Sequence, residues 1–172
     1  MAMHTFDMQA LHAALDEKRC ALGLSWEELA TDINKPFKGT TSIPISTGTI
    51  RTMVKKSSVT SAVVLQVLRW LDRTPESFLS GRLGQSNVDE KLPAAGAAHI
   101  LRFDTQAMHA ALNDERQRRG LTWKQLAVEL PGFTQSMIAN LAEGPLIGFP
   151  RVMMIPQWLK CPAATFVRVR NR

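Results

Sequence analysis

Cysteine is scarce: the 172-residue chain has two, Cys20 and Cys161, too few for a disulfide framework and without a Cys-x-x-Cys spacing. Reduced thiols of a cytosolic protein are the expectation. The four histidines form no metal-ligand pattern with the cysteines, so no metal site is expected. No apolar run approaches the ~20 residues that span a bilayer, and the start lacks the apolar stretch of a signal peptide. A soluble, cytoplasmic protein with no membrane partner follows. Nucleophile–base pairs and glycine-rich phosphate loops are also missing, so neither enzymatic activity nor a cofactor is expected.

What the chain does have is a duplication. Phe6–Ile33 aligns with Phe103–Leu130 at a constant offset of 97 and without gaps, with 14 identities in 28 positions. Its centre is "GLSWEELA" from Gly23, repeated as "GLTWKQLA" from Gly120. The offset then falls to 88, because copy one holds nine extra residues within 34–44. The match resumes at Ile50/Ile138, Trp70/Trp158, Leu71/Leu159 and Phe78/Phe166. One offset kept over such a span marks two copies of one module. Between them, residues 81–101 are rich in Gly, Ser, Ala and Pro, the composition of a flexible linker. Domain one is expected over 1–80 and domain two over 102–172.

Within copy one the apolar residues Met8, Leu11, Leu15 and Leu22 fall at helical spacing behind Asp7, a good N-cap. Gly23 fits the left-handed end of that helix. Ser25 caps a second helix, with Glu28 completing a capping box and Trp26, Leu29, Ala30 and Ile33 facing inward. A short third helix begins at Ser46 or Thr47 and turns Ile50, Met53 and Val54 inward. A fourth spans about Ser61–Leu71. Copy two repeats the pattern, with Thr122 as cap and Thr134 opening its third helix. Pro156 stands inside its last helix and should kink or shorten it. No strand is evident, so the expected fold is all-α: two tandem domains of four to five short helices each, joined by the linker. The recurring Trp26, Trp70, Trp123 and Trp158 are expected to be core residues, and His12 and His109 paired surface positions.

Two short helices joined by a tight turn suggest helix-turn-helix geometry. "RRGLTWKQLAVELPGFTQSMIANLAEG" resembles the phage-repressor, or Xre/Cro-like, helix-turn-helix family. The matching positions are Gly120, Leu121, Thr122, Leu126, Ala127, Thr134 and Ile138, and in copy one Gly23, Leu24, Ser25, Leu29, Ala30, Ser46 and Ile50. The resemblance implies lambda-repressor-like domains and a bacterial or phage DNA-binding regulator. It departs at Trp26 and Trp123, where the family often carries a phosphate-contacting Gln. The Leu-Thr-Trp start is also similar to the helical domain of cyanases. Their catalytic residues belong to a separate later segment, and only "VRVRNR" follows copy two.

Net charge is +6, which favours an anionic partner. It divides as +1 over residues 1–80 (nine Lys/Arg, eight Asp/Glu), zero over 81–101 (two of each) and +5 over 102–172 (ten against five). Locally the order reverses. From Ile33 to Leu71 there is no acid, while Lys35, Lys38, Arg51, Lys55, Lys56 and Arg69 are present. Such segregation suits phosphate neutralisation. The expected base-reading residues are Thr47 and Arg51 in copy one, and Gln135 and Asn140 in copy two. Lys35, Lys38, Ser46, Lys55, Lys56, Lys124, Thr134 and Arg151 are the expected phosphate contacts. Double-stranded DNA is thus the expected partner, read by a pseudo-dimer whose third helices sit roughly 34 Å apart. Copy one is expected to dominate. The alternative is a protein-interaction module of antitoxin or anti-repressor type, with domain two serving a homodimer or a protein partner.

Overall fold

The computed structural model describes residues 3–40, 43–80, 90–143 and 147–171. Copy one contains α1 (Met8–Ala21), α2 (Trp26–Asn34), a 3-10 turn (Lys35–Phe37), α3 (Thr47–Thr52) extended by a 3-10 turn (Met53–Lys55), β1 (Val59–Thr60), α4 (Ser61–Leu71) and a last 3-10 turn (Pro75–Phe78). Copy two opens with β2 (His99–Phe103) and continues through α5 (Thr105–Arg118), α6 (Trp123–Glu129), α7 (Gln135–Asn140) and β3 (Gly148–Phe149). A 3-10 turn (Arg151–Met153), α8 (Met154–Leu159), a second turn (Ala163–Phe166) and β4 (Val167–Asn171) complete it.

The helix starts follow from side chains that satisfy the first free backbone N–H groups. Asp7 accepts from the Ala10 N–H and Asp104 from the Ala107 N–H, each at 3.0 Å. Ser25 with Glu28, and Thr122 with Gln125, form complete capping boxes. Gly23 and Gly120 end their helices at φ +69°, a left-handed conformation that a Cβ would strain. Leu22, expected on the inner stripe of α1, is instead its exposed C-cap.

The fold is not all-α. Among the described residues it is mixed, 58% helix and 10% strand, with two small antiparallel sheets. In the larger, β2 pairs with β4 from His99↔Asn171 to Phe103↔Val167. The end of the expected linker (99–101) and the expected C-terminal tail are therefore strands. Neither is visible locally, because each finds its hydrogen-bond partner some 70 residues away. Residues 81–89 of that linker lie outside the described residues. Copy one has a vestige of the same pairing, a single bridge Phe6↔Leu79.

The smaller sheet joins the copies. β1 and β3 pair as Val59↔Phe149 and Thr60↔Gly148, and the Ser61 N–H donates to the Ile147 carbonyl. At the offset of 88, Thr60 and Gly148 are equivalent positions, so the ribbon is symmetric about that pair. The symmetry extends outward. In α4, Gln66 and Arg69 donate to the Leu101 and His99 carbonyls at the start of copy two. In α8, Gln157, the equivalent of Arg69, bonds both the carbonyl and the N–H of His4 at the start of copy one. Each copy's last helix thus grips the other's first segment, an isologous contact. Buried Glu76 adds a 2.6 Å acceptor for the Ala163 N–H. One continuous cluster of buried apolar side chains runs through both copies.

This docking explains α4. Val64, Val67, Leu68 and Leu71 are buried as the periodicity demands, but so are Ser61, Leu65 and Gln66. Copy one covers one side of the helix, while β2 and β3 cover the other. In copy two the equivalent helix is only six residues long, with Pro156 in its first turn. Proline cannot donate to the carbonyl four residues earlier, so the preceding segment takes 3-10 and strand geometry instead.

Candidate nucleic-acid interface

In each copy the second and third helices pack together around a buried isoleucine, Ile50 or Ile138. Ser46 caps α3 by accepting from the Thr49 N–H at 3.0 Å, and Thr134 caps α7 by accepting from the Met137 N–H at 3.2 Å. Copy two connects its pair through a short turn over buried Phe133. Copy one inserts nine residues, yet the ends of the insertion stay together. The Asn34 side chain both donates to and accepts from the Ile45 backbone, each at 2.8 Å. Phe37 is buried, and the Pro36 carbonyl accepts from the Ala98 N–H at 2.7 Å. The insertion is therefore anchored against the start of copy two, and α3 keeps its seat on α2.

With Ile50 and Met53 inward, the opposite side of α3 and its extension presents Thr49, Arg51, Thr52, Lys55 and Lys56 to solvent. No acid partners Arg51, Lys55 or Lys56 among the described residues. Thr47 is half-buried one turn before Arg51. Ser46 is exposed, with its hydroxyl 2.8 Å from that of Thr49. Lys35 and Lys38 are exposed on the insertion, where they share with Ser46 and Thr47 an open concavity of about 1020 Å³. Glu27 and Glu28 of α2 also line it, so the lining is not uniformly basic. The Ser25 backbone N–H holds the Glu28 carboxyl below its usual range.

Arg69 is not part of this surface. Its guanidinium donates to the His99, Ala95 and Gly96 carbonyls, and burial lowers its pKa.

Copy two offers a different face. Gln135 and Asn140 are exposed on α7 with Thr134 at its start. The positions equivalent to Arg51 and Lys55, however, are Ala139 and Glu143. Lys124 is exposed in the first turn of α6, away from the α7 segment in sequence. Arg151 and Asn140 line a second cavity of about 370 Å³, together with Arg102 and Gly148. Sequence reasoning passed over Arg102. The alternating "VRVR" of its partner strand was the signal that could have found it.

The tryptophans divide. Trp158 is 1% exposed and buried as expected, while Trp26, Trp70 and Trp123 are only half-buried. His12 stacks on Trp26 at 5.4 Å and His109 on Trp123 at 5.0 Å. Arg19 and Arg116 lie over the same rings at 4.6 and 4.7 Å. Each arginine also donates to the carbonyl after the helix-ending glycine, Leu24 or Leu121, at 2.8 Å. These groups brace α1 against α2 and α5 against α6. The paired histidines are accordingly packing partners of the tryptophans.

No family model, curated protein or solved structure matches the chain. Among the described residues no helix is long and apolar enough to cross a membrane, and no cluster of three His, Cys, Asp or Glu could hold a metal ion.

Proposed function

We propose that the protein is a sequence-specific double-stranded DNA-binding regulator, with α3 of copy one as its principal reading helix. One observation carries this: an acid-free, solvent-facing row of Arg51, Lys55 and Lys56 on and just after the second member of a capped helix pair. Arg51 reads a base edge, since a guanidinium can fork onto guanine, with Thr47 beside it. Lys35, Lys38, Lys55 and Lys56 neutralise phosphates. Ser46 adds a hydroxyl at the start of α3. The resemblance to Xre/Cro-like helix-turn-helix segments supports the same reading. Copy two, with Gln135, Asn140, Thr134, Lys124 and Arg151, reads a second, different half-site. Such a protein works in the cytoplasm at the nucleoid, as a binding protein rather than an enzyme.

A second reading concerns copy two alone. Ala139 and Glu143 stand where copy one has Arg51 and Lys55, and this favours a protein partner over phosphate for α7.

Selection of duplexes from a random pool on the full chain tests the proposal. An enriched motif is expected, bound with an affinity that falls by about 0.9 log unit per phosphate contact for each log unit of salt. No enrichment, together with a flat salt dependence, would refute DNA reading. Binding that survives loss of the Arg51 and Lys55 charges but not loss of the Gln135 and Asn140 side chains would transfer the role to copy two.

A further inference from the structure

The cavity of about 370 Å³ lies where the two copies meet. Its wall includes Thr60 of β1, Arg102 of β2, Met137 and Leu141 of the α7 segment, Phe133 before it and Arg151 after β3. Three observations set it apart. First, neither the Arg102 nor the Arg151 guanidinium has a hydrogen-bond or ion-pair partner among the described residues. Second, Arg102 stands directly across from Arg168 in the β2–β4 ladder, an arrangement of like charges that destabilises a sheet. Asp104 lies 3.7 Å from Arg168 and so relieves that residue, not Arg102. Third, Gly148 lets the Ser58–Val59 segment close in on β3 and places the Ser58 hydroxyl at the cavity wall: a Cβ there would fall 2.5 Å from the Ser58 hydroxyl oxygen and 3.1 Å from the Val59 carbonyl oxygen.

We propose that this cavity is a binding site for a small organic anion, a carboxylate or phosphate monoester with an apolar body. Arg102 and Arg151 take the charged head, with hydroxyl help from Ser58 and Thr60. Phe133, Met137 and Leu141 cover the body. The volume is within the range of small-molecule sites, and unpaired guanidiniums over an apolar floor match that ligand chemistry. Met137 and Asn140 belong to α7, so the ligand would touch a helix that the DNA-binding reading also uses, although the site itself does not depend on that reading.

Titration of the full chain without DNA separates the two. With methyl-labelled methionine, the Met137 signal (assigned by Met137→Leu) is followed against octanoate, octyl phosphate, octanol and inorganic phosphate, each below its aggregation limit. A saturable shift with one or both octyl anions is expected, and the tighter anion identifies the head group. Octanol and inorganic phosphate should each bind at least about tenfold more weakly, the loss of one charge-assisted contact or of the apolar body. Arg151→Gln, at an exposed position, should weaken the octyl anions about tenfold, as should Arg102→Gln if its melting temperature is unchanged. Octanol binding as well as octanoate, inorganic phosphate binding as well as octyl phosphate, an unmoved Met137, or an Arg151→Gln chain with full affinity would overturn the proposal.

Discussion

The two copies agree wherever a residue builds the module and part company wherever it meets something else. Both keep the aspartate cap, the left-handed glycine, the capping box, the His–Trp–Arg brace and the buried isoleucine. Their indole N–H groups even find equivalent acids, Trp70 on Asp32 at 2.7 Å and Trp158 on Glu129 at 3.1 Å. The third helices share only their caps and the inward residue. Outward, copy one has Arg51 and Lys55 where copy two has Ala139 and Glu143. Packing constraints held the interior after duplication, and the solvent faces diverged because nothing inside the fold fixes them.

The sharpest break in the interior correspondence is the last tryptophan. Trp158 is 1% exposed, whereas Trp70 is half-buried under the Lys18 ammonium. Trp158→Ala should cost about 3–5 kcal/mol in urea unfolding, and Trp70→Ala clearly less. Equal losses would mean that the burial difference carries no energetic weight.

On the outer faces the expected asymmetry is in DNA binding. Arg51→Ala should cost about 1–3 kcal/mol on the selected duplex and relax one position, and Lys55→Ala should lower the salt slope by about one. Gln135→Ala and Asn140→Ala should cost less. A reversed order in a fluorescence-anisotropy titration would make copy two the reading half.

The ribbon gives a smaller contrast within one symmetric pair. Gly148→Ala drives a methyl into Ser58 and the Val59 carbonyl, and should lower stability by ~1 kcal/mol or more. Thr60→Ala, at the exposed partner position, should change it little. Thermal melting of both variants checks this, and a neutral Gly148→Ala would show that the ribbon yields.

The smallest effect is electrostatic. Copy one has Lys18 where copy two has Glu115, whose carboxyl is held at about 2 by hydrogen bonds from Arg118 and then Arg119. A depressed folded-state pKa adds stability above the unfolded value near 4.5, lost as pH falls towards 2. Glu115→Gln should therefore be slightly less stable than the native chain at pH 6, with the gap closing between pH 4.5 and 2. A gap independent of pH would remove the ion-pair explanation.

Helix starts and most of the inward faces of α1, α2 and α4 were readable because each rests on residues within one or two turns, though Leu22 is exposed and Trp26 only half-buried. Ser25 with Glu28 is complete in four positions, and Ser61–Leu71 shows its period unaided. The strands were not readable. "HILRF" sits at the end of an Ala- and Gly-rich stretch, and its partner "VRVRN" resembles a basic tail until the two are brought together. The cavity at Arg102 was hidden for the same reason, since its wall draws on β1, β2, α7 and the turn after β3. The exposed placement of Arg51, Lys55 and Lys56 on an acid-free stretch was legible from the lack of acids between Ile33 and Leu71. Arg69 met the same criterion, but its role depended on three carbonyls from a distant segment.

The Thr60–Gly148 pairing has one more consequence. Two identical chains meeting across such a ribbon would look the same from either end, and could not tell one direction along a duplex from the other. Here both halves belong to one chain and present different third helices, so the assembly has a front and a back. Bound as proposed, it would lie on DNA like an arrow, one face always towards the same neighbouring sequence, and whatever docked on copy two would inherit that heading.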